Sequence, residues 1–181
     1  MERDAWLDGL LGLEEVPEDG PELPRGCVPY LPCSLQAVLD TVLLAEVDAS
    51  DVFVDVGAGV GRAALFVHLL TGARAVGLEI QSALVDRARA LTARLDVIGV
   101  DFVACDAVGA GQIVPTGTVF FLYCPFGGAR VDKLLDAIEP LARTRVIRIA
   151  CIDMPEASRP WLRMRGSAPS GATVYDNVKC P

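Results

Sequence analysis

Short apolar runs alternate with amphipathic stretches along most of this chain, and glycine or proline punctuates the joins. Residues 51–56, Val-Phe-Val flanked by aspartates and closed by a valine, predict a buried strand ending in a glycine cluster. Residues 75–80, 100–105, 118–123 and 145–152 predict further strands of the same kind. Between them, residues 62–71, 82–95 and 132–141 place apolar side chains at helical spacing. Gly72 stops the first of these helices. Ser82 caps the second, which carries Leu84, Ala88, Leu91 and Leu95 on one face, and Pro140 marks the fraying end of the third. Ahead of the first strand, Ser34 caps a helix with Leu35, Val38, Leu39, Val42 and Leu43 at its apolar positions. Residues 161–165 and 172–178 predict two strands around a Ser-Ala-Pro-Ser-Gly turn, a terminal antiparallel hairpin.

Strands alternating with helices imply an α/β three-layer sandwich: a mostly parallel, seven-stranded sheet with right-handed crossovers and the hairpin at its end. A chain of 181 residues suits one domain. Its 52% apolar content with only 6% aromatics fits layers packed from Ala, Val and Leu. Residues 1–26 read separately, as an acidic segment rich in proline and glycine, and residues 27–181 as the domain. Pro17, Pro21 and Pro24 exclude a long helix across that segment, while Trp6, Leu7, Leu10, Leu11 and Leu13 allow one or two short amphipathic turns. Residues 27–32 read as extended.

The net charge of −8 repels a phosphate-rich partner, so no nucleic acid is expected; it attracts a basic protein or a cationic amine. No apolar run is long enough to span a bilayer, and the acidic start lacks the basic n-region of a secretory signal, so a cytoplasmic protein without membrane attachment is expected. The six cysteines include no Cys-x-x-Cys pair and His68 is the only histidine, so no metal site is expected. Cys105, Cys124 and Cys151 lie in or beside apolar runs and read as buried, reduced thiols. His68, flanked by Phe66, Val67, Leu69 and Leu70, reads as structural.

The segment Asp55-Val56-Gly57-Ala58-Gly59-Val60-Gly61-Arg62 sits between a strand and a helix, where open α/β sheets bind ligands. Glu79, at the end of the next strand, is placed to accept from both hydroxyls of a ribose. A dinucleotide site would want its third glycine at position 62, where Arg62 stands instead, and this disfavours a nicotinamide oxidoreductase. The Asp55-x-Gly57-x-Gly59-x-Gly61 spacing resembles motif I of the class I, Rossmann-like methyltransferases that use S-adenosylmethionine (SAM) and release S-adenosylhomocysteine. The resemblance implies a cofactor site made by Asp55, Val56, Gly57, Ala58, Gly59, Gly61, Glu79 and Ile80, with Asp55 orienting the loop and attracting the cationic end of SAM. It gives Asp106 the adenine amino group and the Ala107 N–H the ring. Tyr123 borders cofactor and acceptor alike, while Cys124, Pro125 and Phe126 take the acceptor side, and Tyr123 and Phe126 wall a narrow slot for an amine.

The segment Val28-Pro29-Tyr30-Leu31-Pro32-Cys33 resembles the N-terminal loop of small seven-strand protein lysine methyltransferases, the archaeal chromatin-protein and mitochondrial ATP-synthase c-subunit types. Residues 53–61 are more distantly similar to the Dot1-type core, and residues 149–161 resemble the lysine enzymes' segment after the fifth strand. The likeness implies that Tyr30 and Pro32 close over SAM. Cys33 departs from the usual Thr or Ala. Tyr123-Cys124-Pro125-Phe126 lacks both the Asn-Asn-Phe of the Dot1 type and the Asn of the Asn-Pro-Pro-Phe/Tyr motif of amino-group methyltransferases. The implied reaction is in-line SN2 methyl transfer to nitrogen, with protein lysine as the first acceptor. A small metabolite is the alternative acceptor, and a non-catalytic SAM-binding module the alternative of another class. Tyr123 is the one polar wall, and no general base is assigned.

Overall fold

A strand covered on both faces needs apolar side chains at successive positions, and the central strands of this chain have them. The structure is a computed structural model that describes residues 2–15, 17–20, 23, 26–108, 114–154 and 157–178. Pro21, Pro24, Pro155 and Cys180 lie outside the described residues. Helices Glu2–Leu11 (α1) and Leu35–Ala45 (α2) lead into β1 (Val52–Val56), α3 (Arg62–Thr71), β2 (Arg74–Glu79), α4 (Ser82–Arg94) and β3 (Val100–Ala104). Then come β4 (Val119–Tyr123), α5 (Ala129–Ala142), β5 (Arg148–Ile152), β6 (Leu162–Ser167) and β7 (Ala172–Asn177).

The strands form one seven-stranded sheet in the order β3-β2-β1-β4-β5-β7-β6. The β1–β2, β1–β4, β2–β3 and β4–β5 pairs are parallel, with Val54 opposite Val76 and Phe120; β7 runs antiparallel to β5 and β6. This is the sheet of the class I methyltransferase fold. Side chains alternate between two cores. Phe53, Phe121 and Ala150 pack beneath α2, α3 and α4; Val54, Val56, Phe120, Leu122 and Ile149 pack against Leu134, Leu135 and Ile138 of α5. No helix among the described residues is long and apolar enough to cross a membrane.

Local signals behave as their chemistry dictates. The Ser34 hydroxyl accepts from the Ala37 N–H at 3.2 Å and starts α2. Gly72 closes α3 at φ 73°, donating to the His68 carbonyl. His68 turns its ring to the Ala73 carbonyl at 2.8 Å, a structural contact.

Other expectations are corrected. Leu43 is exposed, and α2 buries Ala37, Val38, Thr41 and Ala45 instead, so a polar residue lies on the packed face. Ser82 does not cap α4; Gln81 stands at that position, its carbonyl accepting from Leu84 and Val85. Helix α5 starts at Ala129, directly after Gly128, and runs through Pro140 to Ala142. The two hairpin strands form as expected, whereas β5 begins only at Arg148. In place of short turns, α1 is a ten-residue helix.

At the amino ends of the strands, a polar knot built on the buried Asp51 carboxylate joins β1, β4 and β5. The Arg148 guanidinium donates to the Asp51 carboxylate and the Ala45 carbonyl. Asp51 also accepts from the Thr118 hydroxyl at 2.7 Å, and that hydroxyl accepts from the Val52 N–H at 2.9 Å. Removing one member of a buried ion pair strands the other. Arg148→Ala is therefore expected to lower unfolding free energy by about 3–5 kcal/mol, read by urea denaturation, while the cleft at the opposite ends of the strands keeps its form.

Candidate active site

Going outward from β1, the chain runs to β2 and β3 on one side and to β4 and β5 on the other, so the sheet changes direction between β1 and β4. A crevice opens beyond the carboxyl ends of strands at such a point. The cleft found here is lined by Gly57 after β1, Glu79 at the end of β2 with Ile80 after it, Cys105, Asp106 and Ala107 after β3, and Tyr123 at the end of β4 with Cys124, Pro125 and Phe126 after it.

The glycine loop is held from β2. The Gly57 and Ala58 N–H groups donate to the Leu78 carbonyl at 2.8 and 3.1 Å. Glu79, only 7% exposed, accepts from the Gly59 N–H through one carboxylate oxygen and from the Gln81 N–H through the other, each at 2.9 Å. One acid thereby fixes the loop after β1 and the start of α4. Gly61, at φ 81°, meets Phe102 and Ala88 so closely that an added Cβ would lie 2.3 Å from the Phe102 ring. The close helix–strand packing thus falls to residue 61. Gly57 and Gly59 also allow close approach, but protein takes it: Pro125 covers Gly57, and the Tyr30 ring covers Gly59 at 2.3 Å from the Cβ position.

Tyr30 belongs to a strap across the cleft. Cys27 bridges Phe126, and the Val28 N–H donates to the Pro125 carbonyl at 3.1 Å. Asp19 accepts from the Tyr30 N–H and the Gln81 side-chain amide, each at 2.8 Å. Burial pushes the Tyr30 phenol up to about 12. With Tyr30 and Pro125 in place, the cleft holds about 70 Å³ of free space.

Beneath the strap lies a buried cation that hydrophobic patterning did not find. Arg62, 4% exposed, pairs with Asp8 at 2.7 Å and Asp4 at 3.0 Å, and donates to the Cys33 carbonyl. Its guanidinium lies 5.2 Å from the Phe66 ring centroid. Asp4 further accepts from the Leu35 N–H at 2.7 Å. Helix α1 is thus docked by an Asp4/Asp8 stripe as well as by Leu11. The signal for it in the sequence was two acids at helical i, i+4 spacing.

At the far end, Asp106 accepts from Arg130 at 2.6 Å and from the Val108 N–H at 3.0 Å, both through Oδ1. Partial burial works to raise its carboxyl, but these bonds and the Arg130 charge outweigh it and hold the group below the usual range. The Arg130 guanidinium also lies 5.2 Å from the Phe126 ring centroid, and Phe126 is 5% exposed. Arg130 was not anticipated. A cation in the first turn of a helix opposes the helix dipole and needs a partner, which Asp106 supplies.

Of the expected site residues, Gly57, Glu79, Ile80, Asp106, Ala107, Tyr30, Tyr123, Cys124, Pro125 and Phe126 line the cleft. Val56, Ala58, Gly59, Gly61, Pro32 and Asp55 do not. Val56 is core, Ala58 lies under the loop, and Asp55 is buried with its Oδ2 accepting from the Ala64 N–H at 3.2 Å. Asp55 therefore pins the start of α3. Of these three, Cys105 and Cys124 are half-buried cleft residues and Cys151 alone is buried in the core, a correction to the reading of all three as buried. Burial raises Tyr123, so its phenol keeps its proton at neutral pH.

Burial pushes the Asp55 carboxyl up to about 7, against the pull of the Ala64 amide and with the Glu79 charge adding to it. An unfolded aspartate titrates near 4, roughly. The folded chain therefore holds an extra proton between those values, and stability falls as pH rises through that window. Asp55→Asn is expected to remove this slope. Thermal melts at pH 5 and pH 8 test it: wild type loses more of its Tm than the variant, and equal losses would refute the assignment.

No protein-family model matches the chain, and no curated protein matches it. Solved structures do. An RNA methyltransferase from Salinibacter ruber, determined with S-adenosylhomocysteine, is 27% identical over 81% of this chain and 92% of its own, with a TM-score of 0.62. A SAM-dependent methyltransferase from Aquifex aeolicus is 15% identical over 88% and 95%, with a TM-score of 0.62. A geranyl diphosphate C-methyltransferase from Streptomyces coelicolor, with S-adenosylhomocysteine bound, is 17% identical over 64% of this chain and 44% of its own, at 0.51. The chain has the fold these methyltransferases share.

Proposed function

We propose that this chain is a SAM-dependent methyltransferase acting on an amine nitrogen. The observation that carries the reading is the Glu79 carboxylate, buried at the carboxyl end of β2 beside the switch point and lining the cleft. Each of its oxygens holds one backbone amide, and a carboxylate can accept about four bonds, so two positions remain for a pair of ribose hydroxyls. Ile80, Leu84, Ala107 and Phe126 offer apolar walls for adenine, with Asp106 at their edge. Ligand pockets usually begin near ~300 Å³, so the strap carrying Tyr30 opens to admit the cofactor and then closes over it.

When bound, SAM supplies a methyl on sulfonium: the acceptor nitrogen's lone pair forms the C–N bond as the C–S bond breaks, its electrons return to sulfur, and the nitrogen's proton passes to water. The chain's own part is alignment and exclusion of water. Good positioning alone is worth up to roughly 7–11 kcal/mol. Tyr123, kept protonated by burial, serves as a wall and hydrogen-bond donor rather than a base.

The Salinibacter protein is described as acting on RNA, but the charge balance favours an amine here. The net charge of −8 repels a phosphate backbone and attracts an ammonium. Protein lysine, suggested by the loop at residues 28–33, and a small amine both meet this condition.

Incubation with tritiated SAM and lysate, followed by fractionation, separates the readings. Label is expected in protein or in small molecules. Label in RNA would overturn the amine assignment, and a thermal shift with S-adenosylhomocysteine but no label would indicate a non-catalytic binder. A shift with NADH alone would overturn the cofactor. Glu79→Gln is expected to weaken S-adenosylhomocysteine binding by about 1.5–3 kcal/mol, roughly 10- to 150-fold, measured by calorimetry.

A further inference from the structure

A second cavity of about 320 Å³ lies between the end of β4, α5 and the segment after β5. Its walls are apolar: Leu122, Phe126, Val131, Leu135, Met154 and Ala157. Cys124 and Phe126 line this cavity and the cofactor cleft alike, so the two spaces share a wall at the end of β4. At the polar edge, Arg159 pairs with Asp132 at 2.7 Å and with Asp136 at 3.5 Å.

We infer that this cavity holds the apolar body of the methyl acceptor, and that the acceptor is a small ring-bearing amine. The inference rests on the methyltransferase reading and narrows it. Continuity is the first argument. A molecule seated here reaches the cleft past Cys124 and Phe126, where its nitrogen meets the transfer point. Size is the second. A lysine stem is one carbon wide and would leave much of the apolar wall without partner atoms, losing dispersion contacts that a ring supplies. Charge is the third. Arg159, the one cation among the described lining residues, is engaged by Asp132 of the lining and by Asp136 behind it, so the rim presents no free cation to a carboxylate or phosphate.

The methionines give a direct reporter, because Met154 lines the cavity and Met164 is exposed on β6. With methyl-labelled methionine in the full chain, phenethylamine is expected to shift the Met154 methyl resonance and leave that of Met164 in place, while benzoate shifts neither. Val131→Phe and Ala157→Phe, from two different elements, fill the cavity. Each is expected to weaken phenethylamine binding about tenfold or more by taking up the free space, with S-adenosylhomocysteine affinity and melting behaviour unchanged. If S-adenosylhomocysteine binds but phenethylamine leaves Met154 unmoved, or binds both filled variants as it binds wild type, the inference falls and the methyltransferase reading stands. If wild type fails to bind S-adenosylhomocysteine, the reading beneath it falls.

Discussion

A single buried carboxylate organises the functional edge of this protein. Glu79 sits where β2 ends, nearly out of contact with solvent, and is held there by two backbone N–H groups rather than by a cation. A buried charge is tolerable only when hydrogen bonds replace its hydration. Gly59 and Gln81 supply them, and in doing so the loop after β1 and the first turn of α4 acquire fixed positions. The glycines make this possible: Gly59 at φ 54° presents its amide to β2 while its open face receives Tyr30. Cleft geometry is therefore a consequence of satisfying Glu79.

A second charge governs the lid. Arg62 is buried at the start of α3, and Asp4, Asp8 and the Cys33 carbonyl neutralise and solvate it. Asp4 is half-exposed; partial burial works to raise its carboxyl, while the Leu35 amide and Arg62 together hold it below the usual range. Through these contacts the N-terminal helix, the strap and the glycine loop form one connected cover over the strand ends. The acidity of the first residues thus has a structural use.

Much of the fold was legible because its signals are local. Ser34 caps a helix with its own hydroxyl, Gly72 ends one with positive φ, and the short, wholly apolar run Val119–Tyr123 is a central strand. The lining of the candidate cleft was legible where spacing encodes it, as with Gly57, Glu79 and Asp106. What escaped the sequence was set by partners far along the chain. Thr41 occupies a packed face where Leu43 looked the better candidate. Arg62 argued against one cofactor, yet nothing beside it revealed that α1 would neutralise it. Arg130 gains its role only when Asp106, on another element, lies beside it. The acceptor was least legible, because the same fold carries RNA and geranyl diphosphate methylation in the structures it resembles.

The central claim is that the crevice between Glu79 and the glycine loop receives the nucleoside of SAM. A crystal structure with S-adenosylhomocysteine tests it most directly. The account predicts both ribose hydroxyls within about 2.6–3.2 Å of the Glu79 carboxylate, with the strap bearing Tyr30 displaced from its present seat on Gly59. A ligand bound elsewhere, with Glu79 touching only Gly59 and Gln81, would contradict it.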